Sequence, residues 1–172
     1  MKSYQDLIDK LNLIPHPEGG YYRRNWQSLF NADIKDSTQK LIFSGRTIGS
    51  SILYLLPGDD VSVWHRVNCD EMWHHYSGSP LRVFTLSPHK GLESLILGSD
   101  VFNGEIPQII LHRHTWFAAE PIDPSSYALC GCTLWPAFSY TDFELAETDK
   151  LIDEFPAHKA LIERIAAKKK QN

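Results

Sequence analysis

Pro57-Gly58-Asp59-Asp60-Val61-Ser62-Val63-Trp64-His65-Arg66-Val67-Asn68-Cys69-Asp70-Glu71-Met72-Trp73-His74-His75-Tyr76-Ser77-Gly78 is the stretch whose reading decides the fold. Turn-forming residues open and close it, and β-branched and aromatic residues fill two short runs, 61–67 and 71–76. On strands, side chains alternate between faces. Val63, His65 and Val67 then share one face of the first run. Glu71, Trp73 and His75 share one face of the second, with Met72, His74 and Tyr76 on the other.

The same pattern continues on both sides. Further runs of this kind fall at about 50–56, 81–87, 92–97, 107–111, 115–119, 126–135 and 138–144. Turn signals separate them at Gly78-Ser79-Pro80, Asn103-Gly104, 121–126 and Trp135-Pro136. No helical pattern intervenes, so the chain reads as mainly β, an antiparallel sandwich or barrel. Short helices flank this core of about 13–145. Residues 3–12 read as a helix capped by Ser3 with Asp6, its apolar face built from Tyr4, Leu7, Ile8 and Leu11. Pro15-His16-Pro17-Glu18-Gly19-Gly20 forbids helix and leads into a strand at 21–26. The polar segment 31–40 reads as a loop. The tail, 147–170, returns to helix, with Pro156 at its first position and Leu161, Ile162 and Ile165 as its stripe. Lys168-Lys169-Lys170 suits the negative end of that helix dipole. The whole is expected to form one domain.

The chain has 172 residues, 42% of them hydrophobic and 22% charged, values ordinary for a globular protein. A net charge of −4 argues against nucleic acid or an anionic membrane as the main partner. The longest aliphatic or aromatic run, Ile52-Leu53-Tyr54-Leu55-Leu56, falls far short of the ~20 residues of a membrane helix. Met1-Lys2-Ser3-Tyr4-Gln5-Asp6 lacks the pattern of a secretory signal. Three cysteines make no disulfide framework, and Cys130 and Cys132, on one strand face, read as buried thiols. A cytoplasmic location is expected. Of eight histidines, six lie between His65 and His114, a clustering that raises the question of a metal.

The spacing Gly58, His65, Glu71, Gly78 resembles the first motif of the cupins, where a glycine precedes His-x-His, a glutamate and a second glycine. His16-Pro17-Glu18-Gly19-Gly20-Tyr21-Tyr22-Arg23, the Ser62-x-x-His65 pair followed by Asp70-Glu71, Gln108, Trp116 and Leu134-Trp135-Pro136-Ala137-Phe138 are similar to one branch of that superfamily. That branch has no assigned activity. The resemblance covers about residues 7 to 146. It implies an RmlC-like jelly-roll barrel (a double-stranded β-helix), a pocket with His65 and Glu71 inside, and a homodimer, with segment 13–26 expected at its interface. In metal-binding cupins the first motif supplies two histidines and a glutamate, and a second motif the fourth ligand. Here Val67 stands at the second histidine and Phe117 at the fourth ligand, so only His65 and Glu71 remain. Two ligands are too few for a tight first-row metal site. No cofactor is therefore expected. The alternative is a rearranged divalent-metal site on His65, Glu71 and His75, or one drawing on His112 or His114, which also read as a polar strand end.

Three functional readings follow. The first is a pocket for a small anionic or sugar-like ligand, with metal-independent epimerase or isomerase chemistry like that of the dTDP-sugar 3,5-epimerase cupins. There His65 would be the base, Glu71 or Asp70 its orienting acid, and Tyr140 or Tyr127 the acid on the opposite face. Ser62, Trp73, His75, Arg82 and Trp116 are the candidate ligand-binding side chains, although Trp73 and Trp116 read equally as barrel filling. Six arginines in the β region (Arg23, Arg24, Arg46, Arg66, Arg82, Arg113) suit either an anionic ligand or cross-strand acidic partners. The second reading is the metal-dependent enzyme. The third is a non-catalytic binding or sensing module.

Overall fold

The computed structural model describes residues 3–169. Its first helix, α1 (Tyr4–Leu11), begins at a capping box in which Ser3 and Asp6 satisfy each other's backbone N–H groups, as the sequence signature requires. Strands β1 (Ile14–Pro15), β2 (Tyr21–Gln27), β3 (Asn31–Lys35), β4 (Leu41–Thr47), β5 (Ser50–Pro57), β6 (Ser62–Val67) and β7 (Asp70–Gly78) follow. Then come β8 (Leu81–Ser87), β9 (Gly91–Leu97), β10 (Gln108–Leu111), β11 (Trp116–Pro121), β12 (Tyr127–Trp135) and β13 (Phe143–Leu145). Helices α2 (Thr148–Glu154) and α3 (Lys159–Lys169) close the chain, joined by a 3₁₀ turn at Pro156–His158. Lys170, the last of the three lysines, lies outside the described residues.

Two antiparallel sheets face each other. One has the order β1-β2-β5-β12-β7-β10, the other β13-β6-β11-β8-β9. Their inner faces meet in a core of aliphatic and aromatic side chains, including Tyr54, Leu56, Trp73, Val83 and Phe117. Helix α1 covers part of the outer face of the first sheet with Leu7, Ile8 and Leu11 over Leu53 and Leu55. The two C-terminal helices cover the outer face of the second, where Leu151, Phe155, Ile162 and Ile165 pack on Trp64, Phe84 and Trp116. Cys69, Cys130 and Cys132 are buried free thiols. No described helix is long and apolar enough to cross a membrane.

Expectations fail in two stretches of the β core. Residues 31–40 are not a loop, because β3 and β4 form a separate two-stranded hairpin. Its turn is held by Asp36, whose carboxylate accepts from the Thr38 and Lys40 N–H groups. Nothing within 29–48 is buried, so no hydrophobic pattern announces it. Residues 138–144 are also not one strand: a 3₁₀ turn at Tyr140–Asp142 interrupts it, and only Phe143–Leu145 pairs, with β6.

A bulge in β6 sets up everything that follows. Phe117 of β11 pairs with His65, but the next partner, Ala119, pairs with Ser62. One extra residue on β6 therefore turns Val63 and Trp64 both outward and leaves Ser62, His65 and Val67 inward. This corrects the simple alternation, which had placed Val63 with His65. Beside the bulge, Gly19 and Gly20 carry φ of +119° and +66°, and a Cβ on Gly19 would lie 2.0 Å from the Val61 carbonyl oxygen. Only glycine lets the chain approach so closely. Gly19→Ala is expected to destabilise the protein by about 2 kcal/mol or more, read as a lowered midpoint in urea unfolding.

Candidate active site

The inward end of the bulge faces the Pro15–Gly20 segment across a short gap. The Val63 N–H donates to the Glu18 carbonyl (2.9 Å), and the Tyr54 hydroxyl to the Gly19 carbonyl (2.9 Å). This fastening drives the Glu18 side chain into the barrel, where only 5% of the residue is exposed. There the Ser62 hydroxyl donates to Glu18 Oε1 (3.0 Å) and His65 Nε2 lies 3.0 Å from Oε2. The Ser62-x-x-His65 spacing is thus explained: the bulge puts both residues on one face, and both hold one carboxylate.

The hydrogen bonds assign the protons. His65 Nδ1 meets the Val63 carbonyl at 2.7 Å, and a carbonyl only accepts, so Nδ1 carries a proton. Nε2 faces a carboxylate, so the ring is an imidazolium paired with Glu18. Burial opposes both charges, but each outweighs that penalty for the other. The Glu18 carboxyl is held down at about 2, and the His65 pKa is raised. His16 accepts from the Glu18 N–H through Nδ1 (3.4 Å), and burial lowers its pKa, so it is the neutral member of the group.

Glu71 enters from the opposite sheet, on β7. It is buried, and burial with the Glu18 charge pushes its carboxyl up to about 7, against the opposing pull of His65. Glu71, Glu18, His16 and His65 line one narrow cavity of about 30 Å³, space for a water or two. Its walls are apolar, with Ile52, Val67 and Cys132 among them, and its rim carries Phe138, Phe143, Tyr22, Arg24 and Tyr140. The hydrogen bond between Tyr22 and Tyr140 contributes most to raising the pKa of Tyr22, so the two phenols meet across that rim.

Of the residues singled out in the sequence, His65, Glu71 and Tyr140 line this cavity, and Ser62 supports it through Glu18. Trp73 is part of the barrel core, packed on Tyr54 and Phe117. His75 does not join Glu71: four residues along a strand is about 13 Å, and its Nε2 is engaged by the Ser79 carbonyl (3.2 Å). Arg82 is exposed on β8. Trp116 belongs to the outer face, stacked under Arg66 and bonded to Glu154. Both are therefore outside the pocket, because their strand positions point them away from the barrel interior. Tyr127 packs beneath α1, and Asp70 accepts from the Arg113 N–H at the surface. Among the arginines, Arg46 pairs with Asp142 and Arg66 with Glu144, while Arg24 reaches the rim. Glu18, His16 and Tyr22 were not singled out as site residues, and Arg24 was named only among the six arginines of the β region. The signal for Glu18 was a lone acid locked between prolines and glycines, inside a segment already quoted for its resemblance.

The residues do not fit a metal. Both His65 nitrogens are committed, the Phe117 ring lies 4.0 Å from the His65 ring, and Val67 forms cavity wall. Among the described residues no three His, Cys, Asp or Glu side chains are grouped to hold an ion. His112 faces Asp70 at 3.6 Å on the surface.

The two facing antiparallel sheets make the fold a jelly roll, the cupin architecture. The chain belongs to the family described as Cupin superfamily (DUF985), whose model matches residues 5–146. It is similar to the X-ray structure of a Shewanella oneidensis protein, a structural-genomics target, at 33% identity and TM-score 0.83, covering 96% of this chain and 98% of that one. A hypothetical protein from Leishmania major is similar at 26% identity and TM-score 0.83, covering 95% and 98%. Oxalate decarboxylase from Bacillus subtilis, a protein with Mn(II) centres, shares the fold at 12% identity and TM-score 0.53, and this chain covers 38% of it. A search of curated proteins found no match.

Glu71 makes stability depend on pH. Its folded pKa of about 7 exceeds its ordinary 4.5, so the folded state keeps a proton that the unfolded chain loses, and stability falls as pH rises through that window. His65, also raised, begins its loss only above 6.5, and Glu18 loses its contribution only as pH falls below 4.5. His16, lowered, acts oppositely below 6.5 but equally in wild type and variant. Glu71→Gln should therefore gain on wild type by about 2 kcal/mol between pH 5 and 6.5, measured by urea unfolding. A constant difference would show that Glu71 does not carry the proton.

Proposed function

We propose that the barrel pocket takes the carbonyl end of a small sugar-like or anionic compound, the rest of which lies over the rim, and moves a proton on it without a metal, as an epimerase or isomerase. The supporting observation is Glu71, a buried carboxyl that titrates near neutrality at the cavity floor. A general acid or base works best with a pKa near the working pH. The ionised Glu71 takes the proton from the carbon beside a carbonyl, and the Tyr140 hydroxyl returns one from the rim. The Tyr140 oxygen regains its proton from solvent and Glu71 releases the one it took, so substrate and product are isomers. His65, whose nitrogens are both engaged, is better suited to charge than to base chemistry. Its imidazolium sets a positive charge at the floor, where the substrate oxygen turns negative. Arg24, exposed at the rim, suits an anionic group on the ligand.

The protein works as a homodimer in this reading, through the β3–β4 hairpin rather than segment 13–26. A two-stranded hairpin is marginal alone. This one, with nothing buried in 29–48, adjoins Leu29 (96% exposed), Phe30 (74%) and Trp26 (49%). A second copy would bury this apolar surface.

Nucleoside-diphosphate 4-keto sugars and ketose phosphates incubated in D₂O should gain deuterium beside the carbonyl, by proton NMR. The rate should be unchanged by EDTA and reduced about 10²-fold or more in Glu71→Gln. Ligand binding without deuterium uptake would overturn catalysis, and loss with EDTA would overturn metal independence. Light scattering should give twice the 19.7 kDa chain mass, and the double variant Leu29→Asp/Phe30→Asp the single mass.

A further inference from the structure

The outward half of the β6 bulge creates a second cavity. Because Val63 and Trp64 are consecutive and both face outward, they form a broad ledge on which the C-terminal helices rest. Helix α3 is clamped at a fixed standoff by Glu120, which accepts from Arg164 through both oxygens (2.8 Å each) and from Lys168 (2.9 Å). Beneath it is a space of about 190 Å³, walled by Val63, Trp64, Leu145, Leu151 and Ile162, with Lys169 among its lining. An apolar cavity of about 150 Å³ accepts benzene, so this one takes a body of about six carbons.

One polar feature gives the ligand its head group. The Lys169 ammonium donates to the Pro17 carbonyl, and among the described residues this neutral oxygen is its hydrogen-bond acceptor. A single anionic acceptor answers this need and an apolar chain fills the walls. We propose that this cavity binds a small apolar monocarboxylate, held by Lys169 and independent of whatever reaction the barrel performs. Because Pro17 immediately precedes Glu18, a carboxylate that draws Lys169 away also perturbs the segment fastening the barrel's acid pair.

The probe is hexanoate, titrated into the full-length protein while amide signals are followed by ¹⁵N NMR. Saturable shifts are expected at Val63, Trp64, Ala146 and Leu151, and at Glu18 and Gly19, with a Kd of about 1 mM or tighter. Lys169→Gln, an exposed change that spares the core, should weaken binding about tenfold, and uncharged hexanol should bind weakly to wild type. Ala166→Trp, which fills the space, should abolish binding. Shifts centred on Ile52 and Leu134 would place the carboxylate in the barrel and overturn the proposal. So would hexanol binding as tightly as hexanoate, or no saturable shift up to about 10 mM. None of these outcomes depends on proton transfer at Glu71.

Discussion

The Glu18 carboxylate, buried between the Ser62 hydroxyl and the His65 imidazolium, is the interaction on which the rest of the site depends. An unpaired charge at that depth would cost several kcal/mol, and removing one partner of such a pair typically costs about 3–5 kcal/mol. The pair therefore binds the segment before β2 to a strand in the opposite sheet. Two glycines with positive φ let the backbone come close enough to deliver it. Its charge also acts at a distance, since it is part of what keeps Glu71 protonated into the neutral range. Glu71 keeps its proton chiefly because it is buried, and the neighbouring carboxylate, which has already taken the available cation, adds to that effect.

The bulge in β6 serves two faces at once. Inward, it sets Ser62 and His65 on the same side, three residues apart, so that both reach Glu18. Outward, it sets Val63 and Trp64 side by side, giving α2 and α3 an apolar ledge. A regular strand would do neither: Ser62 and His65 would point to opposite faces. The barrel pocket and the cavity under α3 are the two sides of one irregularity, linked again where Lys169 holds the carbonyl before Glu18.

Legibility in the sequence followed burial. Strand β8, Leu81–Ser87, was readable to its end residues because nearly every residue in it is buried and the turns around it are sharp. The β3–β4 hairpin was unreadable because none of its residues is fully buried. Residues 138–144 misled because an apolar rim and a strand have the same composition. Of the residues named from the sequence, His65, Glu71 and Tyr140 line the barrel cavity. Glu18 was not singled out, since its partner Ser62 lies 44 residues away and no periodicity links them. Arg82 and Trp116 were assigned by residue type, and type does not say which face of a sheet a side chain takes.

The sequence by itself determined the jelly-roll class, the strands with buried faces, the capped first helix and the absence of the usual metal-ligand positions at Val67 and Phe117. These are local properties, set by alternation, turn chemistry and the identity of single residues. Only the tertiary structure decided which acid pairs with His65, which carboxyl keeps its proton near neutrality and which histidines stand apart. Those outcomes depend on burial and on charges brought together from distant parts of the chain. A pKa is set by desolvation and by neighbours a few ångströms away, and neither is written in sequence order.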